Sequence, residues 1–202
     1  MKNEKILELL NSNKIEELKE LLVQEIKLEG YQGASTKTNI NKVYKHLKKV
    51  GEKRLALQYC CMIDNHQVFT DSYFAVKLAE SDFNPLIEVF DSVKSHTSYP
   101  EMKFILAGGI NKPNFTIDCS DFLDMIHEAK AEAKAKNKDY IFLSNLNKHL
   151  GIKVLDLLIA SLNLSKKSGI ITIYNDYNNP LNPVGITKFN GSLGIICPVR
   201  AY

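Results

Sequence analysis

The final third of the chain constrains the fold most. Three β-type runs, Ile170–Tyr174, Val184–Lys188 and Leu193–Val199, close the sequence. Between the last two stands Asn190-Gly191, a pair suited to a tight hairpin because both residues accept positive φ. The first two are separated by Asn178-Asn179-Pro180-Leu181-Asn182-Pro183, a run that marks a loop. Upstream, Leu146, Leu150, Val154, Leu157, Leu158 and Leu162 recur at helical spacing and predict a helix over 146–162, ending in Lys166-Lys167-Ser168-Gly169. Tyr140–Leu143 reads as a short strand before it. The order strand, helix, strand, strand, strand predicts an α+β fold.

The same order fits Glu25–Leu78. A strand at Ile26–Tyr31 precedes a helix from about Ile40 to Val50, which Thr38 or Asn39 can cap. Leu55–Ile63 then reads as a strand, Asp64-Asn65 as a turn, and Gln67–Phe69 and Tyr73–Leu78 as extended segments rich in β-branched and aromatic residues. Two copies of one βαβββ unit would set two helices side by side across one sheet system. The Ile40/Val43/Leu47 and Leu150/Val154/Leu157 faces would then be buried together.

Three further segments complete the organisation. Residues 1–30 read as an N-terminal helical arm whose stripe, Ile6, Leu9, Leu10, Ile15, Leu18, Leu21 and Leu22, is expected to cover the protein's own core. Residues 31–202 form the α+β domain. A helical insertion at about 83–138 interrupts it, with a short apolar helix from Asn84, a strand at Lys103–Leu106, and a helix from about Ser120 to Lys136 capped by Ser120 or Asp121.

Composition narrows the function classes. With 45% hydrophobic and 24% charged residues the chain is neither collagen-like nor wholly disordered. Its apolar runs fall short of the roughly 20 residues a membrane span requires, and the N-terminus lacks a signal-peptide pattern, so a cytoplasmic protein without a membrane partner is expected. Cys60, Cys61, Cys119 and Cys197 show no CxxC spacing and read as structural thiols. No P-loop, GxGxxG, GxSxG or HExxH pattern is present, which points to a non-enzymatic protein without cofactor or metal. The five histidines are dispersed and read as solvated. Asp64, Asp71, Asp118 and Asp121 are the acids from which a magnesium-dependent nuclease site could be assembled, though caps and turns are their commoner role.

A net charge of +3 is too small to imply nucleic-acid binding by itself. The charge is concentrated, however, on the helix bearing Lys42, Lys45, Lys48 and Lys49, and on Lys53 and Arg54 after it.

Two segments carry a family resemblance. Leu55–Leu78 contains Thr70-Asp71-Ser72-Tyr73-Phe74-Ala75 directly after a strand with an internal turn. The terminus runs Asn182-Pro183-Val184-Gly185 through Leu193-Gly194-Ile195-Ile196-Cys197-Pro198-Val199-Arg200-Ala201-Tyr202. Together, and in this order, they resemble the bacterial DNA polymerase sliding clamp, the β subunit. That family has a Thr-Asp-Gly-His-Arg-Leu-like sequence at the first place and a Met-Pro-Val-Arg-Leu-like ending at the second. The resemblance implies a DNA-clamp-like processivity fold of two βαβββ halves, here as one divergent domain.

It also implies a mechanism. Helices of the clamp family present Lys and Arg to DNA phosphates without reading bases, so Lys42, Lys45, Lys48, Lys49, Lys53, Arg54, Lys148 and Lys153 become candidates for double-stranded DNA binding. The family captures short peptides of replication proteins in an apolar pocket, which carries over to Thr70, Tyr73, Phe74, Pro198, Val199 and Arg200. One domain could encircle DNA only as a homo-oligomer. The expectation is a clamp-like accessory factor of replication, repair or recombination, of a kind that phages and mobile elements encode. The alternative is a clamp mimic that binds or inhibits a protein without touching DNA.

Overall fold

The structure is a computed structural model that describes residues 9–10, 14–28, 34–91 and 99–200. The chain divides into two compact units, 1–38 and 39–202. In the first, α1 (Ile15–Lys27) leaves Ile15, Leu22, Val23 and Ile26 exposed and Leu18 and Leu21 half-buried, while Leu9 of the same expected stripe is buried. The expected strand at Ile26–Tyr31 is overturned where it is described, because Ile26 and Lys27 belong to α1; residues 29–31 lie outside the described part, as do Ile6 and Asn11–Asn13.

The second unit is built on one antiparallel sheet of seven strands. They are β1 (Cys61–Ile63), β2 (His66–Thr70), β3 (Phe74–Leu78), β4 (Asn114–Asp118), β7 (Ile170–Tyr174), β8 (Val184–Lys188) and β9 (Leu193–Ile196). Across the sheet the order is β1-β2-β3-β9-β8-β7-β4. A separate hairpin pairs β5 (Tyr140–Leu143) with β6 (Lys148–Gly151).

Helix α2 (Ala34–Gly51) precedes β1-β2-β3, and α5 (Ile152–Ser161) precedes β7-β8-β9. The order in the sheet is mirrored about its central β3–β9 pair, so each helix is followed by three strands that step inward to that pair. The helix and three following strands of the expected βαβββ unit are therefore repeated, but its first strand is not part of the sheet in either copy, because Ile26 and Lys27 are helical and β5 pairs with β6 in the separate hairpin. The insertion adds β4 outside β7, with α3 (Met102–Ile110) before it and α4 (Cys119–Ala135) after it.

Alternation along the strands sorts side chains to the two faces. Phe69, Phe74, Val76, Ile171, Ile173, Val184, Ile186 and Ile196 face one core with Val43 and Leu47 of α2, Phe122 and Ile126 of α4, and Leu155, Leu157 and Leu158 of α5. Val68, Ala75, Leu193 and Ile195 face a smaller core closed by Met102 and Leu106 of α3. Helices approach closely where glycine permits it: a Cβ on Gly185 would stand 2.5 Å from the Gly109 carbonyl oxygen of α3. A Cβ on Gly194 would stand 2.6 Å from Leu158 of α5.

The turns follow local chemistry. Asp64 and Asn65 both take positive φ between β1 and β2, and Gly191 does so between β8 and β9, as their sequences predict. Elsewhere tertiary packing overrules the local pattern. Leu55–Gln58 is a 3₁₀ turn, so of the expected strand only Cys61–Ile63 joins the sheet, while Cys60 makes an isolated parallel bridge to Val89. Lys103–Leu106 lies in α3, where Met102, Leu106 and Gly109 are buried at helical intervals. Asn84–Asp91 is not helical; Asn84 instead anchors a loop by donating to the Ile40 carbonyl and accepting from the Leu86 N–H. Residues 92–98 of that expected helix lie outside the described part. Helix α2 begins at Ala34, before the expected cap, and α4 is capped by Asp118, whose carboxylate accepts the Ser120 N–H at 2.7 Å.

Candidate nucleic-acid interface

Helix α2 buries Ile40, Val43 and Leu47, and this fixes the direction of its remaining residues. Lys42, Lys45 and Lys49, at i, i+3 and i+7, share one stripe beside that buried face. Helix α5 buries Leu155, Leu157 and Leu158 and turns Lys153 and Asp156 outward. Between the two helices runs a groove of about 520 Å³ with Ile152 and Leu157 among its walls. Lys42, Lys45, Lys49 and Lys153 all line it, together with His46, Asp139 and Asp156. The Asp156 carboxylate accepts a hydrogen bond from Lys130, so its charge is matched outside this set of lysines.

The groove thus gathers four of the eight sequence-predicted DNA-binding residues. Lys48 is exposed on α2 but does not line the groove. Lys53 and Arg54 follow the helix in exposed positions, and Arg54 Nη1 donates to Ser72 Oγ at 3.0 Å. Lys148 is a correction. The expected helix over 146–162 is divided into a turn, β6 and a shorter helix, and the alternation of β6 sends Lys148 inward with Leu150. It is fully buried, and its ammonium donates to the carbonyls of Asp176, at 2.7 Å, and Asn179. Burial pulls its pKa below the ordinary lysine value, against the opposing pull of the Asp176 carboxylate. Lys148 cannot present its charge to a phosphate.

His46 is the wall residue that sequence reasoning missed. It is half-buried, not solvated, and its Nε2 lies 2.7 Å from Asp71 Oδ2. Asp71 is almost fully buried; its Oδ1 accepts the N–H groups of Tyr73 and Phe74 at 2.8 and 2.9 Å. Thr70 Oγ1 completes the turn, donating to the Phe74 carbonyl at 2.7 Å and accepting the Ser72 N–H at 3.0 Å. Ser72 sits at φ +82°, a conformation better suited to glycine. The only sequence signal for this arrangement is the Thr-Asp pair at the start of a turn.

The candidate peptide-binding segments lie next to each other. Phe74 pairs with Ile196, and the Cys197 N–H donates to the Tyr73 carbonyl at 2.9 Å. Phe74 itself belongs to the core, edge-on to Phe69, and Thr70 is occupied in the turn. At the surface remain Tyr73, 63% exposed, and Arg200, with Pro198 and Val199 half-buried. Val199 N–H donates to the His149 carbonyl at 2.8 Å, which lays the C-terminal segment along β6.

The other candidate chemistry is dispersed. Asp64 lies in the β1–β2 turn, Asp71 under the next turn, Asp118 caps α4 and Asp121 is exposed in its first turn. Among the described residues no group of three His, Cys, Asp or Glu side chains is placed to hold a metal ion. Burial pushes all four thiols up, Cys60 to about 11, the opposite of the shift that activates a nucleophile. Among the described residues no helix is long and apolar enough to cross a membrane. No protein-family model, no curated protein and no solved structure matches the chain.

Proposed function

We propose that this protein is a non-enzymatic, clamp-like accessory factor of DNA replication, repair or recombination that holds duplex DNA against the groove between α2 and α5. The observation that carries the reading is the convergence of Lys42, Lys45, Lys49 and Lys153, from two helices distant in sequence, on one groove. Seven residues at about 1.5 Å rise separate Lys42 from Lys49 by about 10 Å. That distance equals about three base-pair steps of 3.4 Å measured along the duplex axis. Lysine ammonium groups are point charges, so the contact binds backbone and leaves sequence unread. A single domain surrounds a duplex only by assembling with copies of itself, which makes a closed homo-oligomer part of the reading.

The test is the double reversal Lys45→Glu and Lys49→Glu, read by fluorescence anisotropy of a labelled duplex over a series of salt concentrations. Binding should weaken at least tenfold, and the slope of log K against log salt should fall by about 2, at roughly 0.9 per phosphate contact. Unchanged affinity and slope would remove the assignment. Light scattering on the wild-type protein separates encirclement, which needs a closed assembly, from side-on contact by a monomer.

A second reading is a protein-binding or inhibitory module that does not touch DNA. It is favoured by exposed Tyr73 beside Pro198-Val199-Arg200 and by the exposed apolar stripe of α1. It predicts protein association that survives the same charge reversal.

A further inference from the structure

The outer face of the β5–β6 hairpin carries an aromatic cluster that the lysine groove does not use. Ile141, Leu143, Lys148 and Leu150 point inward and are buried, so period-two alternation turns Tyr140, Phe142 and His149 to the opposite face. Phe142 and His149 are direct cross-strand partners with ring centroids 4.7 Å apart and planes tilted by 35°. Tyr140 meets the same histidine edge-on at 5.4 Å, and Lys138 Nζ stands 5.0 Å from the Tyr140 ring centroid. Tyr140 is opposite Gly151 and is half-buried, with Val199 and Val154 beside that glycine, so Phe142 is the more open ring. Phe142 keeps 47% of its surface in solvent.

The hairpin borders the groove through the residues that flank its open end. Asp139 lies between Lys138 and Tyr140, and its carbonyl accepts the Ile152 N–H at 2.9 Å; Asp139, Ile152 and Lys153 are all groove-lining residues. Rings held in place by neighbouring rings, with the Lys138 ammonium over one of them and a lysine-lined groove beginning at the adjacent Asp139 and Ile152, suit unpaired bases. Every base has a π face to stack, and the lysines match the phosphates that link them. A duplex offers its bases only at an end or a break.

We infer that the Tyr140–Phe142–His149 face stacks the bases of a single-stranded segment, so that the preferred ligand is a junction between duplex and single strand. The inference rests on the groove reading above for its duplex part and on the aromatic cluster for its single-stranded part. Lys138 and Lys153 carry the phosphates across the join.

Three labelled probes test it by anisotropy: a blunt duplex, the same duplex with an oligothymidylate extension, and oligothymidylate alone. The extension should tighten wild-type binding at least about fivefold, as stacking of a base on an aromatic side chain allows. Phe142→Leu keeps an apolar side chain and removes the π face; it should abolish that gain and leave blunt-duplex affinity unchanged, while Phe142→Trp should restore the gain. An extension that adds nothing, or a Phe142→Leu variant that retains the gain, overturns the inference. Phe142-dependent binding of oligothymidylate without any blunt-duplex binding supports the aromatic face and overturns the duplex groove. No binding to any probe overturns both and leaves this face to a peptide.

Discussion

His46 Nε2 stands 2.7 Å from Asp71 Oδ2, joining helix α2 to the turn between β2 and β3. The two oxygens of Asp71 divide the work: one engages the imidazole, and the other accepts the two backbone N–H groups that begin β3. A wall of the lysine groove is thereby fixed to the centre of the sheet, because β3 pairs directly with β9.

Asp71→Ala should therefore destabilise the protein by about 2–4 kcal/mol, since it orphans the buried Phe74 N–H, the partly buried Tyr73 N–H and a half-buried imidazole. Asp71→Asn keeps one carbonyl oxygen for the turn and should be milder. Urea denaturation of the three proteins checks the order. Equal midpoints for wild type and Asp71→Ala would mean that the turn is held by Thr70 alone.

Lys148→Ala should cost a similar amount, about 2–4 kcal/mol, through an unfilled cavity and the loss of two charge-assisted hydrogen bonds, although the Asp176 and Asn179 carbonyls each keep one backbone donor. Lys148→Met, which fills the space, should recover part of it. Neither change should alter the salt slope of duplex binding in protein that remains folded. This separates Lys148 from Lys45 and Lys49, whose reversal acts on binding.

Ser72→Gly should stabilise the protein by about 0.5–1 kcal/mol. A residue with a Cβ is strained at φ +82°, and glycine is not. The hydrogen bond from Arg54 to the Ser72 hydroxyl is exposed and offsets only a fraction of that gain. Thermal midpoints decide the sign, and a fall on substitution would show that the Arg54 contact outweighs the backbone strain.

Stability should decline in alkali as pH rises from about 9 to about 11. Cys60 is fully buried, and burial pushes its thiol from 9.0 up to about 11. The unfolded chain releases that proton first, so ionisation favours unfolding across this window, by a few kcal/mol at its upper end. Below the ordinary thiol value this contribution does not change with pH. Replacing Cys60 with Ala should flatten this part of the pH profile in urea melts, and an undiminished slope would assign it to other groups.

Elements with a local cause were legible in the residues alone. Runs of β-branched and aromatic residues specified β2, β3 and β7–β9, the helical stripe Ile40/Val43/Leu47 specified the inner face of α2, and Asn190-Gly191 specified its hairpin. The sequence likewise showed the concentration of lysines on α2. Apolar spacing could not separate β6 from α5, because Leu146, Leu150 and Val154 fit a helical repeat while Lys148 and Leu150 fit a strand. The hairpin with β5 decides between them, and with it the burial of Lys148. Nor does any local pattern say that Met102–Ile110 must close a sheet face, or that His46 finds Asp71. The groove is the clearest case: Lys42 and Lys153 meet only because two helices separated by more than a hundred residues both bury apolar faces in one core. Periodicity reports which side of an element is buried; what lies across from it is set by long-range pairing, which only the folded chain contains.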